Sequence, residues 1–204
     1  MKRDEIRREL IDGTIHVIAR EGLDGASAKQ IEAATGINVA YIYRCFKDKD
    51  DMFSAAFRSL DHELIDEILK RLPIINTEGL DIEERCRLLF IPIWRFLLGN
   101  REKCLCYIRY YYSPYFKKYS HDEHERDFEI INEKFSVVFN DDANVSMVLD
   151  HILNIMCDFA VKVFNETVTN DDETVEHIFK LIYHSVYPYL RKRSLQGKNT
   201  VEAE

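Results

Sequence analysis

Residues 26–53, ASAKQIEAATGINVAYIYRCFKDKDDMF, constrain the fold more than any other part of the chain. Ser27, with Gln30 at the matching position, is a capping box, and Ile31, Ala33 and Ala34 give the helix it opens a small apolar face. Gly36 stops that helix with a residue free to take positive φ. Asn38 stands at the next N-cap, ahead of helical spacing from Val39 to Phe46. Asp48, with Asp51 at the capping-box position, starts a third helix through Met52, Phe53, Ala56 and Phe57. Two short helices across a turn of three or four residues containing Gly form a helix-turn-helix. Such a unit places its second helix in the major groove of DNA.

The rest of the chain reads as helix, and no alternating strand pattern occurs. The periodicity predicts nine helices, and hence an all-α fold. The first spans residues 3–20, with Ile6, Leu10, Ile15, Val17 and Ile18 on its core face. A helix over 48–72 ends at Pro73, and Asp81 with Glu84 opens another that runs to about residue 98. Asn100 starts a helix that meets Pro114, and Ser120 with Glu123 starts one to about residue 139. Two long apolar helices, over 142–167 and 171–191, finish the fold. The expected organisation is a DNA-binding domain over 1–50, a helical ligand-binding and dimerisation domain over 51–193, and a polar, mobile tail over 194–204.

The chain's 204 residues, 46% of them apolar, suffice for a sizeable core. No apolar run approaches the roughly 18 residues that a membrane helix needs. The opening MKRDEIRREL is charged throughout, unlike a secretory leader, and five cysteines without CxxC spacing suit a reducing compartment. A soluble cytoplasmic protein with no membrane association is the expectation. Net charge is −8, but residues 1–50 balance to zero, so the whole deficit lies beyond them. Within 27–49 four basic residues face two acidic ones, a locally positive segment on an acidic body.

The run from Leu10 to Phe53 resembles the N-terminal DNA-binding domain of TetR-family (tetracycline-repressor-like) regulators. The matching segments are GLDGASAKQI, TGINVAYIYRCF and KDKDDMF, and the Tyr43-x-x-Phe46-x-x-Lys49 spacing is the most specific. Glu32 and Thr35 stand where that family usually has Ala, and Cys45 where His or Tyr is common. The resemblance implies Tyr43 and Lys49 as phosphate contacts that fix register. From residue chemistry, Val39, Ala40, Tyr41 and Arg44 point at base edges, behind Asn38 at the start of their helix. Arg44 can pair bidentately with guanine, and Val39 or Ala40 can meet a thymine methyl. Ser27 and Lys29 open the preceding helix and are further phosphate candidates. The competing reading makes Tyr43 a packing residue and Lys49 an exposed cap charge.

A second candidate region is YIRYYYSPYFKKY, residues 107–119, where seven aromatics surround Arg109. Aromatics with a few polar groups line small-molecule pockets. The expected pocket residues are Trp94, Arg109, Tyr110, Tyr111, Asn154, Cys157 and Asp158, with Phe90, Phe128 and Phe159 as further walls. Asp150, Asn154 and Asp158 recur at helical spacing and would turn polar groups into the same cavity. Ordinary packing of exposed tyrosines is the alternative.

The last two helices are apolar nearly all round, through Val148, Ile152, Ile155, Met156 and Phe159 and then Ile178, Phe179, Ile182 and Val186. A helix apolar all round is buried on more than one side. A two-fold dimer through these helices satisfies that, and the resemblance implies it; a thick monomer core is the alternative. The HDEHE run at 121–125 offers only an i, i+3 His pair, short of a metal site's ligand count. Cys104 and Cys106 read as small core residues rather than redox thiols. No P-loop, GxSxG or GxGxxG motif occurs, and no Glu or Asp stands three residues before any of the seven histidines, as a helical di-metal site would need. An enzyme is therefore not expected, nor a metal, nor a cofactor. A protein-binding helical adaptor would account for the last two helices but not for the capped turn unit. The expected function is a homodimeric transcriptional regulator, more readily a repressor than an activator. It would bind double-stranded operator DNA and be released by an unknown small-molecule effector, through a tilt of the 48–72 helix.

Overall fold

Side-chain caps and two prolines set most of the helix boundaries. The structure, a computed structural model, describes residues 3–191. The tail expected over 194–204 lies outside them. Ten α-helices and two short 3₁₀ helices account for most of the described residues, with one isolated antiparallel bridge between Phe139 and Leu190.

Helix α1 (Arg3–Gly25) departs from helical geometry at Gly22, whose φ of 77° only glycine adopts readily, close to the break expected after Arg20. Helix α2 (Ala28–Thr35) is capped by Ser27 and closed by Gly36 in the left-handed region. Helix α3 (Val39–Cys45) starts where the Asn38 side chain accepts from the Ala40 amide at 2.9 Å. Helix α4 (Lys49–Arg71) opens with the Asp51 amide on the Asp48 carboxylate at 2.9 Å. The reciprocal bond runs from the Lys47 amide to Asp51, one residue earlier than a standard capping box. Helix α5 (Ile82–Gly99) carries the full reciprocal box between Asp81 and Glu84, at 2.8 and 3.0 Å.

The sequence predicts one helix between Asn100 and Pro114; the structure has α6 (Arg101–Tyr111) and then a separate α7 (Pro114–Tyr119). Ser113 is extended, as the residue before a proline prefers, and Pro114 takes the first helical position of a new helix. That adds the tenth helix. Helix α8 (His121–Phe135) follows, without the expected cap from Ser120: its hydroxyl is buried on Ser54 and Tyr110 instead. Helices α9 (Val145–Phe164) and α10 (Asp172–Val186) are shorter at both ends than periodicity suggested, since Asn144 and Asp171 take the N-caps.

The described residues form two units, with boundaries other than the expected 50/51 division. The first comprises residues up to Ile65 together with Asn100–Asp127; the second comprises Asp66–Gly99 and the described residues from Phe128 onward. One apolar cluster explains the first grouping: Leu10, Ile18, Ile31, Ile42, Phe53 and Phe57 share it with Cys106, Tyr110 and Phe116. Phe57 stacks on Tyr110 at 4.8 Å and lies 5.0 Å from Tyr107 and 5.4 Å from Phe116. Burying large rings dominates core energetics, so the aromatic stretch joins the turn unit rather than the second unit. In the second unit Trp94 is buried, stacked on Phe90 and donating to the Asn170 side chain at 3.1 Å.

Candidate nucleic-acid interface and effector cavity

The turn between α2 and α3 is held by two of the three residues at which the sequence departs from the resembled pattern, Thr35 and Glu32. Thr35 donates to the Ile31 carbonyl at 2.7 Å and accepts from the Ile37 amide at 3.2 Å. Glu32 accepts from the Val39 amide at 3.4 Å, satisfying one of the orphan donors at the start of α3. Ile37, Ile42 and Phe46 are buried and seat α3 from below. What remains on its outer face is Ala40, Tyr41, Tyr43 and Arg44, all exposed, with Val39 half-buried. Tyr43 is 60% exposed and Tyr41 44%, so the packing reading of Tyr43 has no support here. The Arg44 guanidinium lies 5.0 Å from the Tyr41 ring centre, which pre-orients a long and otherwise flexible side chain.

The other candidate contacts fall into two groups. Lys29 and Asn38 are exposed, and Ser27 is too, although its hydroxyl also donates to the Gln30 side chain at 2.8 Å. Lys49 is half-buried, its ammonium 3.4 Å from the Leu23 carbonyl and 4.9 Å from the Phe53 ring centre. In this position it ties α4 to the end of α1, and meeting a phosphate would require it to leave that carbonyl. Two cations unforeseen in the sequence flank the same helix. Arg3 donates to the Arg44 carbonyl at 3.5 Å, and Arg7 lies 4.9 Å from the Phe46 ring centre.

The seven residues expected to line one pocket are divided between the units. Arg109 donates to the Ile18 carbonyl at 2.6 Å, Tyr110 is fully buried against Ser120 at 2.9 Å, and Tyr111 packs on Phe116 and His124. Tyr110 lies in the first unit's core and Tyr111 packs against it, while Arg109 is exposed. In the second unit, Trp94 is buried on Phe90 and Asn170, and Cys157 is half-buried. Asn154 donates to Asp150 at 3.1 Å and Asp158 accepts from Lys162 at 2.6 Å, forming a surface stripe along α9. The stripe lies on the far side of α9 from the apolar positions that face the cavity: Leu149, Ile152, Leu153 and Met156.

The cavity lies wholly within the second unit. Its volume is about 100 Å³, and it lies between α5, α8, α9 and α10. None of the seven expected residues lines it, whereas Phe90 and Phe128 from the expected walls do. Its walls are hydrocarbon apart from Arg85, Cys86 and Tyr183. Burial pushes the Cys86 thiol and the Tyr183 hydroxyl each up to about 12, so both stay neutral. Among the described residues Arg85 is then the one formal charge in the lining, a residue the periodicity of α5 assigned to no role.

Burial likewise pushes the Cys106 thiol up to about 12. A raised thiol pKa holds the sulfur protonated, and the protonated form is the unreactive one. A disulfide reagent at pH 8 is therefore expected to leave Cys86 and Cys106 unmodified in the folded protein and to label them once urea is added. Rapid labelling of either in the fold, read by peptide mass, would restore a redox role. Among the described residues no group of three or more His, Cys, Asp or Glu side chains could hold a metal ion. His124 turns inward onto Asp61.

Residues 10–56 match the family model described as bacterial regulatory proteins, tetR family. The chain is 36% identical over 66 residues to the HTH-type transcriptional regulator BetI of Klebsiella pneumoniae (strain 342), covering 32% of this chain and 34% of that protein. It is 36% identical over 94 residues to the HTH-type nicotine-responsive transcriptional repressor HdnoR of Paenarthrobacter nicotinovorans, covering 46% of each. The chain thus spans less than half the length of the curated relatives it matches. A TetR family transcription regulator from Marinobacter aquaeolei VT8 superposes with a TM-score of 0.68 at 17% identity, over 89% of this chain and 95% of that one. This last likeness is one of fold. No described helix is long and apolar enough to cross a membrane.

Proposed function

We propose that this chain, whose residues 10–56 match the family model of bacterial regulatory proteins, tetR family, is a dimeric repressor that binds operator DNA through α3 and leaves it when a small molecule fills the cavity of the second unit. The family is one of transcriptional regulators, not of enzymes. The observation that carries the DNA-binding part is the outer face of α3. Tyr41, Tyr43 and Arg44 stand exposed on a helix whose inner face is anchored by Ile42. Arg44 would read a base edge, while Tyr43 and Lys29 would hold phosphates.

The test is fluorescence anisotropy on DNA from upstream of the protein's own gene. Arg44→Ala is expected to weaken operator binding by about tenfold and relax its sequence preference. Tyr43→Ala should weaken operator and random DNA alike, and Lys29→Ala should lower the salt slope by about one. Wild-type affinity in both Arg44→Ala and Tyr43→Ala would remove α3 as the recognition surface.

Support for the dimer comes from a face shared by α9 and α10. The His151 ring nitrogen lies 3.1 Å from the Ser185 hydroxyl, joining the two helices. One turn before His151 is Met147, and one turn before Ser185 is Leu181, 56% exposed. Large side chains this exposed beside half-buried Ile155 and Phe159 suit a surface covered by a second copy. Light scattering should give twice the 24.1 kDa chain mass, and Leu181→Arg should give the single-chain mass. A wild-type protein of single-chain mass would end the dimer reading.

Effector release would act through α4. This helix carries Phe53 and Phe57 in the first unit's core and Ile68 in the cavity wall. A ligand releases DNA only if it binds the DNA-incompetent arrangement better than the competent one.

A further inference from the structure

Two arginines two residues apart on α5, and so on opposite sides of the helix, have opposite surroundings. Arg87 is paired with both Glu83 and Glu176. Arg85 has no carboxylate partner among the described residues; it donates to the Ile75 carbonyl at 3.0 Å, and its Nε–H is buried with no acceptor. A guanidinium donor left unpaired against hydrocarbon is costly, and an acceptor arriving from solution removes that cost. The cavity beside it is walled by Phe90, Phe135, Leu149 and Met156, with no carboxylate in the lining.

We propose that this cavity takes an amphiphilic carboxylate, an unbranched alkyl chain of medium to long length ending in a carboxylate, with the chain among the apolar walls and the head group on Arg85. The inference rests on the reading of the cavity as the effector site and names the chemistry of what enters it. Burial of each methylene contributes through area removed from water, so affinity should rise with chain length until the cavity is filled. The head group sets the preference: a carboxylate meets Arg85 with charge-assisted hydrogen bonds, an alcohol gains a weaker neutral one, and an alkylammonium is repelled. Cys86 and Tyr183, both neutral, add no opposing charge.

The chain's single tryptophan reports on the site without lining it, since Trp94 stacks on Phe90 in the cavity wall. The experiment titrates full-length protein with dodecanoate, dodecanol and dodecyltrimethylammonium below their aggregation thresholds, following Trp94 emission and, in parallel, the heat of binding. Dodecanoate is expected to bind at least tenfold tighter than dodecanol, and the ammonium not at all. Arg85→Gln should cost dodecanoate about tenfold while leaving dodecanol within a factor of three, and Arg85→Lys should restore part of the difference. Met156→Trp, read by heat alone because it adds a second indole, narrows the cavity and should weaken both ligands; its circular dichroism checks that the fold persists. Equal affinity for acid and alcohol, or an Arg85→Gln variant that binds both as wild type does, would overturn the head-group assignment. Failure of every ligand to bind would overturn the proposal altogether. The same titrations repeated on operator-bound protein separate the two readings. Dodecanoate binding that depends on Arg85 but leaves DNA affinity unchanged sustains the ligand class and removes the effector role.

Discussion

Replacing Asp61 by alanine is expected to lower stability by about 3–5 kcal/mol, the range for removing one partner of a buried polar pair. Asp61 is 2% exposed. Its carboxylate lies 2.9 and 3.0 Å from Nδ1 of His124 and accepts from the Tyr107 hydroxyl at 3.3 Å. The His124 ring is itself enclosed by Phe57, Tyr111 and Phe116. Without the carboxylate, the bonds it makes to the His124 ring and the Tyr107 hydroxyl are lost from a buried position. A chain of this size loses about 2–4 °C per kcal/mol, so the melting midpoint of the first unit should fall by about 10 °C. Asp61→Asn keeps an acceptor in place and should lose about half as much. The double variant Asp61→Leu with His124→Phe should recover most of the loss, since an apolar replacement of a buried pair can be nearly neutral. Calorimetry decides it: an Asp61→Ala midpoint within a degree of wild type would show that the cluster does not pin α4, α6 and α8 together.

Gly13→Ala should destabilise the turn unit by about 2 kcal/mol net, despite being a glycine-to-alanine change inside a helix. Helix propensity alone favours alanine by about 1 kcal/mol. Packing opposes it more strongly: a methyl at Gly13 would stand 2.1 Å from Cγ2 of Thr35. That methyl cannot swing aside, because the Thr35 hydroxyl bonds Ile31 and Ile37 at once and so fixes its rotamer. Forcing atoms into a filled core costs about 1–3 kcal/mol, and this overlap belongs at the upper end. The strain would move α2 off α1 and α3 with it, so operator affinity should fall together with the urea midpoint. Thr35→Ser in the Gly13→Ala background removes the methyl and keeps the hydroxyl, and should restore both. A Gly13→Ala protein at least as stable as wild type would show that α2 is free to shift on α1.

The Gly13–Thr35 pair also shows where local reading of the sequence stops. Thr35 is visible as a departure from the resembled pattern, and Gly13 as a glycine inside a helical run, but nothing local links residues so far apart. The Ser120 cap fails for a related reason: three residues ahead of Glu123 it has the spacing of a capping box, yet Ser54 and Tyr110 compete for its hydroxyl inside the core. The expected effector pocket dispersed because aromatic density in a segment says that rings will be buried, not against what. Tyr110 and Tyr111 went to the core of the first unit, while the cavity formed between carbon-lined faces whose periodicity is that of any packed helix. Arg85 was legible as a cation on α5, but its missing partner is a tertiary fact.

The all-α class, the capped turn with its glycine stop and the exposed residues of α3 were all legible in the amino-acid order alone. These follow from contacts within four residues, where helical spacing, capping and glycine's freedom at positive φ leave few alternatives. Tertiary packing alone places α6 and α7 with the turn unit, sets Glu32 and Thr35 to hold the turn, turns Lys49 to the Leu23 carbonyl, and leaves in the second unit a cavity beside a guanidinium whose Nε–H has no acceptor. Each depends on which apolar face meets which, and burial is non-directional: it rewards any close-packed arrangement of these faces, so the choice among them rests on side-chain shape across the whole chain.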